Sequence, residues 1–351
     1  MSVSITGTGS YIPTNTIENI AFINNTFLNN DGSKFPQSND VIIRKFEAIT
    51  GIKERRYVTN DLNNSDIAFI ACEKAIKDAG INKEEIDYII FAHNFGDVSY
   101  GQSQSDAVPS LASRVKHKLK IKNPKCVAYD MLFGCPGWIE AVIQANAFIK
   151  SGIAKKCLVI GGETLSRLTD PYDRDSMIYA DGAGAVIIEK TNDGNGILAH
   201  NSASFTYEEA YFLFNGNSYN KSEQDTKYIK MFGRKIYEFA LTNVPQAMAD
   251  CLKQSGVDIT EVKKILIHQA NKKMDEAIVE RFYGLYEMEA PKDIMPMTIE
   301  KLGNSSVATI PTLLDRILNG KIENHHLDKG DVIIFASVGA GMNVNAIVYR
   351  I

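Results

Sequence analysis

The feature that most constrains the fold is an internal repeat. The segment Ala79-Gly-Ile-Asn-Lys-Glu-Glu-Ile-Asp-Tyr-Ile-Ile-Phe91 aligns without a gap on Ser255-Gly-Val-Asp-Ile-Thr-Glu-Val-Lys-Lys-Ile-Leu-Ile267, 176 positions later. Each copy ends an amphipathic helix, Ile67 to Ala79 or Ile236 to Gln254, whose apolar residues recur at three- and four-residue spacing. Gly80 and Gly256 stand where a helix C-terminus calls for a left-handed residue. A polar link follows, then an apolar run of strand type, Ile86 to Ala92 or Val262 to Ile267.

The parallel continues downstream. Cys126 to Met131 reads as a buried strand, and a helix from about Pro136 to Lys150 follows it. In the second half a helix from Ser305 to Asn319 follows Leu302-Gly-Asn304. These helices end at Gly152 and Gly320 and lead into strands, Cys157 to Ile160 and Val332 to Ala336. Glycine-bearing turns come next, Gly161-Gly162 and Gly339-Ala-Gly341. Alternating strands and helices predict parallel sheets covered by helices. The expected architecture is therefore α/β, with two duplicated halves at residues 1–175 and 176–351. Asn24 to Asp40 reads as a loop, and Phe205 to Lys227 as a loop or hairpin.

Several function classes are disfavoured. A formal net charge of -4 argues against a general nucleic-acid binder. The first residues lack the pattern of a signal peptide, and no apolar run approaches the roughly 20 residues that span a bilayer. The five cysteines, Cys72, Cys126, Cys135, Cys157 and Cys251, show no CxxC spacing. A disulfide framework or zinc site is not expected, and a reducing cytoplasm is the natural compartment. Gly7-Thr-Gly9 and Asp181-Gly-Ala-Gly184 form neither a GxGxxG nor a P-loop fingerprint.

Sites in parallel α/β sheets form beyond the C-terminal ends of strands. Cys135, His268, Asn304 and the Gly339-Ala-Gly341 turn fall at or beside such ends. Cys135 is predicted at a helix N-terminus, where backbone N–H groups favour a thiolate and lower its pKa. By position alone it is equally a small buried hydrophobe. His268 could donate to a carbonyl or act as a base, although a lone histidine is more often structural. Asn304 reads first as a helix N-cap. His93, His117, His200, His325 and His326 have no supporting partners in the sequence.

Taken together the motifs resemble the β-ketoacyl-acyl carrier protein synthase III family of the thiolase superfamily. The resemblance runs through Thr50-Gly-Ile-Lys-Glu-Arg-Arg56, the Met131 to Trp138 segment and Asp170-Pro-Tyr-Asp-Arg174. It continues in Asp181-Gly-Ala-Gly-Ala-Val186, His268-Gln-Ala-Asn271, Gly303-Asn-Ser-Ser306 and Gly339-Ala-Gly341. It implies a thiolase-like fold with a layered αβαβα core and an acyltransferase with a Cys135-His268-Asn304 triad. Backbone N–H groups of Cys135 and Gly341 would form the oxyanion hole. The implied reaction is a decarboxylating Claisen condensation of a Cys135-bound acyl group with a malonyl-type thioester. Coenzyme A or phosphopantetheine thioesters would be substrates, with no metal or redox cofactor. Acyl carrier protein would be a partner and the chain a homodimer, with no nucleic acid or membrane involved.

Other implied contacts concern substrate. Arg174 would touch coenzyme A. Arg234, Lys235, Lys272 and Lys273 would dock an acidic carrier protein, although such residues also suit a solvated helix face. Val108, Phe133 and Trp138 would shape the acyl pocket. The family's adenine-stacking tryptophan is missing, with Lys45 at its place, and Ile49 stands for a phosphate-binding arginine. The loop before residue 45 is longer than usual. Arg174 is thus expected to lack an aromatic partner. The resemblance implies ordinary fatty-acid initiation, while these departures suit a specialised condensation, such as one joining carrier-linked β-keto or long or branched acyl units into a dialkylresorcinol or cyclohexanedione precursor. Hydrolysis or simple transfer of an acyl thioester is a further alternative.

Overall fold

The computed structural model of the chain describes residues 2–192, 194–223 and 225–351. Its first part contains strand β1 (Ser2–Tyr11), β2 (Asn15–Glu18), helix α1 (Asn39–Thr50), β3 (Glu54–Tyr57), α2 (Asn64–Ala79), β4 (Tyr88–His93) and α3 (Leu111–Lys118). It continues with β5 (Val127–Leu132), α4 (Gly137–Lys150), β6 (Lys156–Thr164) and β7 (Asp181–Thr191). The second part has β8 (Gly196–Ser204), β9 (Leu213–Asn217), β10 (Lys227–Met231), α5 (Gly233–Ser255), β11 (Val262–Ile267) and α6 (Lys272–Gly284). After these come α7 (Ile299–Leu302), α8 (Thr309–Leu318), β12 (Val332–Gly339) and β13 (Asn343–Arg350).

Two mixed sheets carry the fold. The first has strand order β1-β7-β6-β4-β5, the second β11-β12-β13-β8. The same plan is used twice: β4, β6, β7 and β1 correspond to β11, β12, β13 and β8. Among the described residues the second sheet has no counterpart of β5. There an irregular segment passes instead, and the Ile265 N–H donates to the carbonyl of Ile294. The first sheet takes in β7, so its last strand ends at Thr191, past the boundary expected at residue 175. The chain needs that strand because β7 lies between β1 and β6 and pairs antiparallel with both.

Three helical layers alternate with the sheets. One apolar cluster joins α4 residues Trp138, Ile139 and Val142 to α8 residues Ile310, Leu313 and Leu314, with strands of both sheets around them. A second cluster sets α2 and α3 on the outer face of the first sheet. A third sets α5 and α6 on the outer face of the second. The result is the αβαβα layering expected for a thiolase-like fold. The weak glycine signals serve this packing: a Cβ on Gly9 would meet the Ala71 carbonyl at 2.3 Å, and one on Gly184 would meet Pro311 at 2.7 Å. They let helices approach strands rather than cradle a phosphate.

One local expectation is corrected. Residues 126–131 were expected as a buried strand, yet β5 is an edge strand and its residues are only partly covered. Its apolar side chains read as interior in the sequence, but the sheet supplies a neighbour on one side only.

Candidate active site

The Cys135 turn joins β5 to α4. It is closed by the Gly137 N–H donating to the Gly134 carbonyl at 2.7 Å. The turn lies against the loop after β12. A Cβ on Gly339 would fall 2.5 Å from the Cys135 nitrogen, so glycine is what lets the two loops meet. Gly341, at φ +76, follows in that loop in the left-handed region. His268 comes one residue after β11, with its N–H on the Ala336 carbonyl at 2.9 Å. Asn304 is tied to the other half of the chain. Its N–H donates to Ile178 O, and its carbonyl accepts from the Ala180 N–H.

These segments enclose one cavity of about 380 Å³, lined by Cys135, His268, Asn304, Ser306 and Gly341 together with a largely apolar wall. Phe95, Leu165, Leu213 and Ile229 belong to that wall, so the β9–β10 hairpin closes one side. Asn304 is not the N-cap of α8; Ala308 is. Its Oδ1 instead accepts the Ser306 N–H at 2.8 Å, which fixes the amide two residues ahead of a short 3-10 turn.

The other residues singled out from sequence separate. Phe133 lines the cavity, while Trp138 does not. Trp138 faces inward from α4, 1% exposed, and packs edge-on against Phe335 at 5.6 Å. Val108 is 87% exposed and outside the cavity lining. Arg174 has the aromatic partner that the sequence was expected to deny it. Its guanidinium lies 4.7 Å from the ring centroid of Phe35, in the long loop before α1. That loop folds back through a bridge between Leu28 and Lys34, a tertiary arrangement no local pattern announces.

Arg174 also lines a second cavity of about 500 Å³, with Lys45 and Arg234. Met231, Ile236, Ala270 and Met274 border both cavities, so the two adjoin. Arg234 and Lys235 open α5, and Lys272 and Lys273 open α6. Arg234 pairs with Glu238 at 2.9 Å, Lys272 lies 3.9 Å from Glu276, and Lys235 sits over the rings of Phe212 and Phe232.

Electrostatics reverse one expectation. Burial pushes the Cys135 thiol up to about 11, assisted by Glu163 and opposed by the Ser306 hydroxyl and its own backbone N–H. A helix N-terminus was expected to lower it, but the loss of water outweighs those donors. Burial pushes His268 down to about 4, opposed by the Ser306 carbonyl. The resting pair is therefore thiol and neutral imidazole, not an ion pair. The raised thiol is protonated below about pH 11, so its reactive fraction grows as pH rises. The rate of iodoacetamide labelling at Cys135 should climb roughly tenfold per unit between about pH 7 and 10. A plateau by about pH 8 would show an ion pair instead. Labelling is selective because the other four cysteines are buried.

Residues that sequence reasoning passed over surround the sulfur. The Ser306 hydroxyl donates to Cys135 Sγ at 3.2 Å. Asn94 Nδ2 donates to Ser306 Oγ at 3.1 Å and to Glu163 Oε1 at 2.5 Å. Glu163, at the C-terminal end of β6, is 1% exposed, and burial raises its carboxyl to about 7. The strand-end rule applied to β6 could have found it. His93, left without partners, accepts the Gly96 N–H on Nδ1. Its Nε2 lies 3.1 Å from Asp130 Oδ2 but too poorly aligned for a hydrogen bond. Among the described residues no cluster of histidine, cysteine and carboxylates could hold a metal ion, and no helix is long and apolar enough to cross a membrane.

Comparison with known proteins agrees with this arrangement. The family described as 3-oxoacyl-[acyl-carrier-protein (ACP)] synthase III matches residues 129–204, and its C-terminal counterpart matches residues 252–351. A β-ketoacyl-[acyl-carrier-protein] synthase III of Staphylococcus haemolyticus is 31% identical, with 100% of this chain and 99% of that protein covered. One from Oceanobacillus iheyensis is 33% identical over the same shares. The crystal structure of 3-oxoacyl-[acyl-carrier-protein] synthase III from Aquifex aeolicus superposes with a TM-score of 0.82 at 30% identity, covering 100% of both chains. With the relatives matched from end to end and the two family halves in order, the chain belongs to the 3-oxoacyl-[acyl-carrier-protein] synthase III family of condensing enzymes.

Proposed function

We propose that the chain catalyses a decarboxylating Claisen condensation on Cys135. The observation that carries this reading is the single apolar-walled cavity that gathers Cys135, His268 and Asn304. In the first half-reaction the Cys135 sulfur attacks an acyl thioester, the carbon–sulfur bond to the donor breaks, and the donor leaves as a thiol. The proton of the Cys135 thiol passes to the departing donor sulfur, so the step needs no separate base. The Cys135 and Gly341 N–H groups serve the oxyanion formed in that attack. In the second half-reaction a malonyl-type thioester enters, its carbonyl facing an imidazole N–H of His268 and the amide of Asn304. Carbon dioxide leaves, and the resulting enolate is held by these donors. Its carbon attacks the acyl-Cys135 carbonyl, giving a β-ketoacyl thioester and restoring the thiol with one proton taken up.

The donor is assigned as an acyl carrier protein thioester. Lys45, Arg174 and Arg234 at the adjoining cavity suit a phosphate on the arm of such a donor, and Lys235, Lys272 and Lys273 stand on neighbouring helix ends to meet an acidic carrier. Phe35 covers the face of Arg174 on which a planar adenine would otherwise stack. In F35A the ratio of kcat/KM for a coenzyme A thioester to that for the carrier-linked one should rise roughly fivefold, since an exposed cation–π contact is worth about 1 kcal/mol. An unchanged ratio would remove Phe35 from donor choice.

A homodimer is proposed on the open edge of β5. Val127 and Leu132 of that strand and Val108 nearby are exposed, and Leu132 also borders the active cavity. A cytoplasmic location is proposed with it. The apolar wall favours a second reading within the same chemistry, in which the acyl unit is long, branched or already a β-keto group. Intact mass after incubation with a panel of acyl donors tests both. The adduct on Cys135 names the acyl unit, whereas free acid with no later ketoacyl product would indicate a hydrolase.

A further inference from the structure

Ser306 touches all three members of the proposed triad. Its N–H donates to Asn304 Oδ1 at 2.8 Å, its carbonyl faces the His268 imidazole, and its hydroxyl donates to Cys135 Sγ at 3.2 Å. The residue has φ +52, a left-handed conformation that serine adopts only under constraint and that collects at functional sites. We propose that Ser306 is a further catalytic residue whose hydroxyl donates to the Cys135 sulfur as the thiolate forms, and that Asn94 and Glu163 are positioning residues that set the direction of that hydroxyl.

The direction follows from donor chemistry. An amide nitrogen donates and never accepts. Asn94 Nδ2 lies 3.1 Å from Ser306 Oγ, so the hydroxyl oxygen is the acceptor there. Its own hydrogen is then free for the sulfur. Glu163 decides which end of Asn94 faces the serine. Above about pH 7 the Glu163 carboxyl is ionised and only accepts, and its Oε1 receives both the backbone N–H of Asn94 at 2.6 Å and its Nδ2 at 2.5 Å. The amide is thereby held with its nitrogen between carboxylate and hydroxyl. The chain Glu163–Asn94–Ser306–Cys135 joins the ends of β6 and β4 in the first half to the segment before α8 in the second.

Ionisable groups around the relay are few. His93 and Asp181 face Glu163, the first favouring its anion and the second opposing it. Tyr179 and His268 share the surroundings of the sulfur. Among the described residues no lysine or arginine lines the cavity around the Cys135 thiol. A neutral hydroxyl donor is therefore the chain's means of easing thiolate formation in an apolar cavity.

The test is the pH–rate profile of iodoacetamide labelling for wild type, S306A, N94A and the double variant. Loss of one hydrogen bond to a charged group should slow S306A about tenfold at roughly pH 8 and move its profile up by about one pH unit. N94A, which leaves the hydroxyl but frees its direction, should slow about threefold. The double variant should be no slower than S306A, because Asn94 acts through Ser306. If S306A folds poorly, S306G removes the same hydroxyl at a position whose φ glycine accepts. Labelling of the four buried cysteines would reveal a merely structural collapse. An S306A profile that coincides with wild type, or effects that multiply in the double variant, would overturn the relay. The inference rests on Cys135 as nucleophile, and the two fail differently. C135A labelled as fast as wild type sinks that reading, whereas an unchanged S306A profile sinks only the relay.

Discussion

Replacing His268 by alanine leaves Cys135 able to accept an acyl group and lowers carbon dioxide release from a malonyl thioester by about 10²- to 10³-fold, the usual loss for one donor to a developing oxyanion. The reason lies in the state of the imidazole. Burial holds His268 at about 4, so at neutral pH it carries one proton and no charge. A neutral imidazole donates through one nitrogen and accepts through the other. It suits a carbonyl oxygen that becomes an enolate, and it adds no second charge to a cavity with few polar walls. Asn304 offers a second donor whose orientation is fixed by the Ser306 N–H on Oδ1. N304A should therefore show the same separation between acylation and decarboxylation. Because His268 is already neutral above about pH 4, decarboxylation by the acylated enzyme should be flat from roughly pH 6 to 8. It should fall only as acid approaches that value and charges the ring.

The second large effect is at the nucleophile. C135A should lose condensation by about 10⁴-fold or more, as expected when a covalent step is removed outright. It should still release carbon dioxide slowly from the malonyl thioester, because the donors to the enolate are on other segments. The substitution is small and the turn around it is held by main-chain contacts, so thermal stability should change little. The 2.7 Å bond closing the turn and the approach of Gly339 do not involve the sulfur. Together H268A and C135A form a double dissociation: one acylates without decarboxylating, the other decarboxylates without condensing. A common fall in both activities for either variant would mean that the two stations are not separate.

What the sequence disclosed and what it hid have physical causes. The duplicated plan was legible because helix and strand periodicities are local, and the glycines at 80 and 256 both cap helices in the left-handed region. The gathering of Cys135, His268, Asn304 and Gly341 followed from one topological rule about strand ends. The edge position of β5 was hidden, since an apolar run looks alike whether one or two neighbours flank it. Trp138 looked like a pocket residue because it lies three positions from Cys135. One helical turn carries its side chain into the layer between the sheets instead. Phe35 and Arg174 meet only because a loop folds back, so their stacking could not be read from either segment. The same holds for Asn94, Glu163 and Ser306, whose residue types are ordinary and whose link to the sulfur spans both halves of the chain.

The central claim is that Cys135 holds the acyl group that the malonyl-derived enolate attacks. The direct measurement is a single turnover: isolate the acyl-enzyme, add malonyl-acyl carrier protein, and follow protein mass, carbon dioxide and carrier-bound product together. The account predicts that the adduct on Cys135 disappears as one equivalent each of carbon dioxide and β-ketoacyl carrier protein forms. Product formed at the full rate while the adduct persists, or by C135A, would contradict it.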